Sequence, residues 1–177
     1  MIFLVRHGEA AAGWGDHPDP GLSALGHKQA EAVARQLATL GATSLISSPM
    51  QRCRQTAAPF AKHLGINARI EPAVSEIVTP DTVDDRVTWL RNLMGGHWPD
   101  NMLPWCQSAR KAVEALPDGT AVFSHFVAIN AIVGQLQGKP NVLVFKPGHC
   151  SVTILERKPQ GNLRLEQLGE EAATRVL

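Results

Sequence analysis

The feature that most constrains this chain is an alternation. Short apolar runs break off abruptly in polar residues, and longer stretches with helical spacing separate them. Ile2-Phe3-Leu4-Val5 is the first run and stops at Arg6-His7-Gly8-Glu9. A second, residues 44–47, leads into Ser48-Pro49, and a third, residues 120–124, ends in Ser124-His125. Continuous apolar runs of this length read as strands buried on both faces. Residues 23–40 carry Val33, Leu37 and Leu40 on one helical face, with Ser23 as N-cap. In the next helix Ser48 is expected to cap and Pro49 to occupy the first turn. Met50, Cys53, Ala57, Phe60 and Leu64 share a face, and Gly65 is the stop. Residues 83–94, 104–116 and 127–137 have further helical patterns, with Val83, Val87, Leu90, Met94, Trp105, Ala109, Ala112 and Leu116 expected inward. Residues 67–70, 141–145, 152–156 and 163–168 read as short strands. The pattern predicts an α/β fold, a three-layer α/β/α sandwich with a mostly parallel central sheet covered on both faces. No linker-like shift in composition interrupts it, so residues 1–177 are expected to form a single domain.

Charge narrows the function classes. The formal net charge of +1 gives no global reason to expect nucleic acid or an anionic membrane as partner. The opening apolar run is halted by Arg6-His7 too early for a signal-peptide core. Cys53, Cys106 and Cys150 are scattered and odd in number, which argues against a disulfide framework or zinc site and fits a reducing cytoplasm.

In open parallel sheets, ligands bind beyond the carboxyl ends of the strands. That rule would bring Arg6, His7, Arg52 and His125 to one edge, a cluster suited to a dianionic phosphoryl group. The motifs themselves carry a resemblance. Leu4-Val5-Arg6-His7-Gly8-Glu9 resembles the signature of the histidine phosphatase superfamily, the phosphoglycerate-mutase-like group. Pro20-Gly21-Leu22-Ser23-Ala24-Leu25-Gly26 is similar to the family's P-L-T-x-x-G phrase with one residue inserted. Ser48-Pro49-Met50-Gln51-Arg52-Cys53-Arg54-Gln55-Thr56-Ala57 resembles its S-P-x-x-R-A-x-Q-T-A phrase, and Val122-Phe123-Ser124-His125 its late strand.

The resemblance implies a nucleophile at His7, a phosphate clamp of Arg6, Arg52 and His125, and a general acid at Glu76 within Val74-Ser75-Glu76. Asp81, Asp84 and Asp85 are the alternatives for the acid. It implies no cofactor and no metal, because the arginines supply the positive charge. The expected substrate is a phosphorylated small molecule or a phosphoprotein. Two departures stand out. Phe126 follows the second histidine where the family often has glycine, and Ala12-Gly13 stands where mutases carry a tryptophan–asparagine pair. The second departure favours a phosphatase over a mutase. A protein phosphohistidine phosphatase and a catalytically idle phosphate-binding or interaction module on the same fold remain as alternatives. Trp14, His97 and Trp98 are candidates for the substrate mouth. His17, His27, His63, His97 and His149 read as surface residues by default.

Overall fold

The computed structural model describes residues 1–12 and 17–172; Trp14 lies outside them. In chain order the elements are β1 (Ile2–Arg6), α1 (Ala24–Thr39), β2 (Ser44–Ser47), α2 (Gln51–Leu64), β3 (Arg69–Ile70), α3 (Arg86–Met94), α4 (Leu103–Glu114), β4 (Thr120–Ser124), α5 (Phe126–Leu136), β5 (Val152–Arg157) and β6 (Leu163–Gln167). Single 3₁₀ turns at Pro72–Val74 and Asp100–Met102 lie between them.

The strands form one mixed sheet in the order β3-β2-β4-β1-β5-β6. The first four are parallel, and β5 and β6 close the far side antiparallel. Side chains alternate across a strand, so β1 serves two cores. Ile2 and Leu4 join Ala109 and Val113 of α4 and Ile129 and Ile132 of α5. Phe3 and Val5 join Val33 and Leu37 of α1 and Cys53, Ala57 and Phe60 of α2. Helices thus cover both faces of the sheet. Among the described residues, no helix is long and apolar enough to cross a membrane.

Local signals explain most boundaries. Ser23 Oγ accepts from Gly26 N at 3.0 Å and starts α1. Gly65, at φ 68°, ends α2 in the left-handed conformation that glycine adopts without strain. Asp85 caps α3, so that helix begins at Arg86, and Val83 precedes it. The inward face of α4 is Cys106, Ala109 and Val113, with Trp105 only partly buried.

Two expectations are corrected. Residues 141–145 form no strand. The amides of Val144 and Phe145 donate instead to Asn130 Oδ1, at 2.8 and 3.1 Å, so a side chain from α5 takes what a ladder would have taken. Ser48 does not cap α2, and Pro49 precedes the helix rather than opening it. The helix begins at Gln51, whose amide donates to Asp19 Oδ1 at 2.8 Å, a carboxylate from the loop before α1. Ser48 is committed elsewhere, as the site makes clear.

Candidate active site

The carboxyl ends of β1, β2 and β4 lie side by side because the strands are parallel and in register, with Arg6 opposite Ser124 and Ser47 opposite Phe123. The ladder continues past the strands: His7 N donates to Ser124 O, and Ser48 N donates to Phe123 O, both at 3.0 Å. Each of the five residues expected at the site arrives there from a different constraint, and all five are buried. Arg6, His7, Arg52 and Glu76 are 5–8% exposed and His125 is 0% exposed.

The loop after β1 is held by contact with α1. A Cβ on Gly26 would stand 2.1 Å from Glu9 O, and one on Gly8 would stand 2.8 Å from Gly26 O. Two glycines therefore permit backbone to touch backbone. Gly8 N donates to Thr56 Oγ1 of α2 at 3.0 Å. The inserted Gly21 is accommodated by Gln55, whose amide fills the space a Cβ would need and accepts from Leu22 N at 2.6 Å.

His7 Nδ1 lies 2.7 Å from Gly8 O. A carbonyl can only accept, so Nδ1 carries the proton and Nε2 keeps its lone pair. Burial holds the ring well below the usual histidine pKa, and the charges of Arg52 and Arg6 push the same way. His7 is thus neutral with an unprotonated Nε2 lone pair available. His125 stands edge-on to it, ring centroids 5.3 Å apart.

Arg52 sits in the first turn of α2. Its Nη2 lies 3.1 Å from His125 Nδ1, and its Nη1 lies 3.9 Å from Asp19 Oδ1. His125 Nε2 is 2.8 Å from Ser48 Oγ, which is where the expected helix cap went. Arg54, two residues on, is exposed. Cys53 takes the family's alanine position and packs its thiol against His125, Sγ to Nε2 3.3 Å, while donating to Ser124 O.

Glu76 is gripped through both oxygens, Oε1 by Ile77 N at 3.0 Å and Oε2 by Val127 N of α5 at 3.2 Å. Its pKa is nonetheless raised, because burial outweighs the two amides and the arginine charges. Asp85 is spent on capping α3, and Asp81 and Asp84 are exposed.

Arg6 donates from Nη1 to Pro147 O at 2.9 Å, and its guanidinium lies over the ring of Phe126, 5.1 Å from the centroid. The phenylalanine that replaces the family's glycine is thus buried against the cation. Burial lowers the Arg6 pKa to about 10, with the neighbouring charge of Arg52 acting in the same direction.

A cavity of about 500 Å³ opens onto this cluster, lined at its base by His7, Arg52 and Glu76. Its walls are largely apolar, among them Ala10, Pro20, Met50 and Ile77; Arg86 and His17 add polar groups. Met50 therefore lines the cavity rather than the core face of α2. Trp98 is buried in a cluster with Leu90, Cys106 and Phe126, and does not line the mouth; neither does His97. The residue missed in the sequence is His149. It is exposed, yet its Nε2 lies 3.0 Å from Arg6 Nη2 and its ring centroid 6.0 Å from that of His7. A signal existed: residues just before an antiparallel neighbour of β1 must pass the carboxyl end of β1.

A neutral histidine with a free ring nitrogen, two arginines and a carboxyl group with raised pKa form a site with the charge to hold a dianion. Comparisons with known proteins bear on the family and the fold. A probable phosphoglycerate mutase, GpmB, of Enterobacter sp. (strain 638) is 30% identical over 167 residues, 79% of this chain and 76% of that protein. A mycobacterial glucosyl-3-phosphoglycerate phosphatase structure shares the fold at TM-score 0.76 and 20% identity, covering 97% of this chain and 99% of that one. A phosphoserine phosphatase structure from Entamoeba histolytica does so at TM-score 0.77 and 19% identity, covering 96% of each chain. The sequence profile of the histidine phosphatase superfamily (branch 1) matches residues 2–170, and the chain belongs to that superfamily.

Proposed function

We propose that this protein is a metal-independent phosphatase that hydrolyses a small phosphomonoester through a phosphohistidine on His7. The observation that carries the reading is the His7 Nδ1–H bond to Gly8 O, which leaves Nε2 as a buried, neutral nucleophile beside two guanidinium groups. Nε2 attacks phosphorus as the ester P–O bond breaks, and Glu76 passes its proton to the departing oxygen. The Glu76 carboxylate then takes a proton from water, whose oxygen attacks phosphorus. The N–P bond breaks, and inorganic phosphate leaves.

Charge matching supports this. In the form that carries the proton on Glu76, toward which burial shifts that carboxyl, and with the histidines neutral, Arg6 and Arg52 present two positive charges to a phosphoryl dianion, which removes the need for a metal in neutralisation. Arrival of the dianion favours protonated His125. That change would turn Nδ1 from an acceptor for Arg52 into a donor to the phosphoryl group, and would release Arg52 Nη2 to the same group.

Glu76 in the cavity favours a phosphoester over phosphohistidine, whose N–P bond needs less help from an acid. The small phosphorylated molecules named for the two neighbouring phosphatases point the same way. Hydrolysis is favoured over mutase chemistry by Ala12 in the cavity wall, where mutases carry a tryptophan. We take the protein to act as one domain in the cytoplasm.

The test is rapid quenching with a labelled phosphodonor. The label is expected on His7, acid-labile and alkali-stable, and absent from His7→Ala. Turnover of p-nitrophenyl phosphate should be indifferent to EDTA. Label surviving in His7→Ala, or turnover abolished by EDTA and restored by a divalent metal, would overturn the reading.

A further inference from the structure

The loop before β5 grips Arg6 from several sides. Arg6 N donates to Ser151 O at 3.3 Å, and Cys150 N donates to Arg6 O at 3.0 Å. From the same loop, Pro147 O accepts from Arg6 Nη1 at 2.9 Å and His149 Nε2 lies 3.0 Å from Arg6 Nη2. Cys150, between these contacts, has φ 56°, the only positive φ at a non-glycine among the described residues. A side chain disfavours that conformation, and it persists where surrounding contacts impose it. Here those contacts are the ones that fasten the loop to Arg6.

A guanidinium has donors only. His149 Nε2 must therefore accept, which puts its proton on Nδ1 and leaves the ring uncharged. Pro147 and His149 occupy both ends of the Arg6 fork. Each Nη keeps a second N–H, and the Nε–H is buried without a partner in the protein. The choice of imidazole has a consequence. A carboxylate at position 149 would hold the fork equally well, but it would cancel the positive charge that a phosphoryl group requires. A neutral acceptor orients Arg6 and leaves its charge intact.

We propose that His149 is a positioning residue of the phosphoryl site: its uncharged Nε2 fixes the orientation of the Arg6 guanidinium without cancelling the charge that a phosphoryl group meets. The proposal rests on the reading of Arg6 as a phosphate ligand. The polar contact His149 makes at the site is with the Arg6 fork, so the proposal has it act through Arg6.

Calorimetric binding of inorganic phosphate tests this without requiring turnover. Loss of a preorganised donor costs roughly 10²–10³-fold in kcat; loosening one against ground-state phosphate should cost less, and His149→Leu is expected to weaken phosphate binding about tenfold. His149→Gln, which retains an acceptor, should bind within about threefold of the parent protein, and His149→Glu about tenfold more weakly or worse, by the same reasoning. The pair Gln and Glu, alike in size, carries the test if leucine unfolds the loop, with thermal midpoints as the check on folding. The double variant Arg6→Ala/His149→Leu should bind no more weakly than Arg6→Ala alone, because His149 acts through Arg6. Phosphate affinity indifferent to position 149, equal losses for Gln and Glu, or additive losses in the double variant would overturn the proposal. Turnover of p-nitrophenyl phosphate in the same proteins separates the two readings. Phosphate binding that depends on His149, without His7-dependent turnover, removes the phosphatase reading and keeps this one. Normal turnover with phosphate affinity unmoved by position 149 removes this one alone. A parent protein that binds no phosphate removes both.

Discussion

Arg52 Nη2 lies 3.1 Å from His125 Nδ1, and this contact decides where the His125 proton resides. Arginine can only donate, so Nδ1 accepts, and the proton on Nε2 goes to Ser48 Oγ at 2.8 Å. Ser48 also accepts from Met50 N at 3.3 Å and reaches Ser75 Oγ at 3.5 Å. The serine of the second motif is thus the far anchor of the arginine four residues later.

Ser48→Ala should leave a buried imidazole N–H without an acceptor. The expected cost is about 1–3 kcal/mol of folding stability, read as a lowered urea midpoint at unchanged slope. It should be joined by a fall in kcat/KM as Arg52 loosens. An unchanged midpoint would mean that His125 has another proton acceptor.

Arg52→Ala should lower kcat/KM for p-nitrophenyl phosphate by roughly 10²–10³. Arg54→Ala, at an exposed position of the same helix, should change it by less than about threefold, as surface substitutions generally do. Steady-state kinetics of the two variants side by side settle the ranking, and the reverse order would refute the assignment of Arg52.

Glu76→Gln should separate substrates by leaving group. An alkyl alkoxide needs a proton as the P–O bond breaks, whereas p-nitrophenolate departs nearly unaided. The expected result is a fall of roughly 10²–10⁴ for an alkyl phosphate, the usual range for a general acid, with a much smaller fall for p-nitrophenyl phosphate. Equal falls would make Glu76 a structural group.

Stability should decline toward acid. His7 and His125 are held well below the ordinary histidine value by burial and by the arginine charges. The unfolded chain takes up these protons near pH 6.5, while the folded protein does not. Stability is therefore full above that pH and is lost as pH falls below it. Glu76 has the opposite sign: its raised pKa lets the folded protein keep a proton that the unfolded chain has released, which favours folding on the acid side. Thermal midpoints should drop between pH 7 and pH 5, and more steeply in Glu76→Gln. A midpoint that holds or rises over that interval would contradict neutral buried histidines.

Much of this arrangement was legible in the sequence because it depended on local order. The cap at Ser23, the stop at Gly65 and the polar ends of β1, β2 and β4 each lie within a few residues of their cause. Parallel strands then bring Arg6, His7, Arg52 and His125 together without further information. What escaped detection depends on partners distant in sequence. Ser48 reads as a cap until His125 is beside it. Residues 141–145 read as a strand until Asn130 takes the amides of Val144 and Phe145, although an asparagine in the middle of the apolar run 126–133 was a sign that some backbone would need it. His149 reads as surface until the antiparallel turn into β5 carries it past Arg6.

The strand order has a consequence for synthesis. Strand β1 lies between β4 and β5, so its partners emerge from the ribosome only when residues 120–124 and then 152–157 have been translated. Until then the nascent polypeptide carries a fully apolar segment with both edges unsatisfied, the kind of exposure that recruits chaperones. The His7 loop, translated before β4 and β5, reaches its native surroundings only after both have been made. A ribosome stalled before residue 120 displays the first two signature motifs and holds neither His125 nor the loop that fastens Arg6.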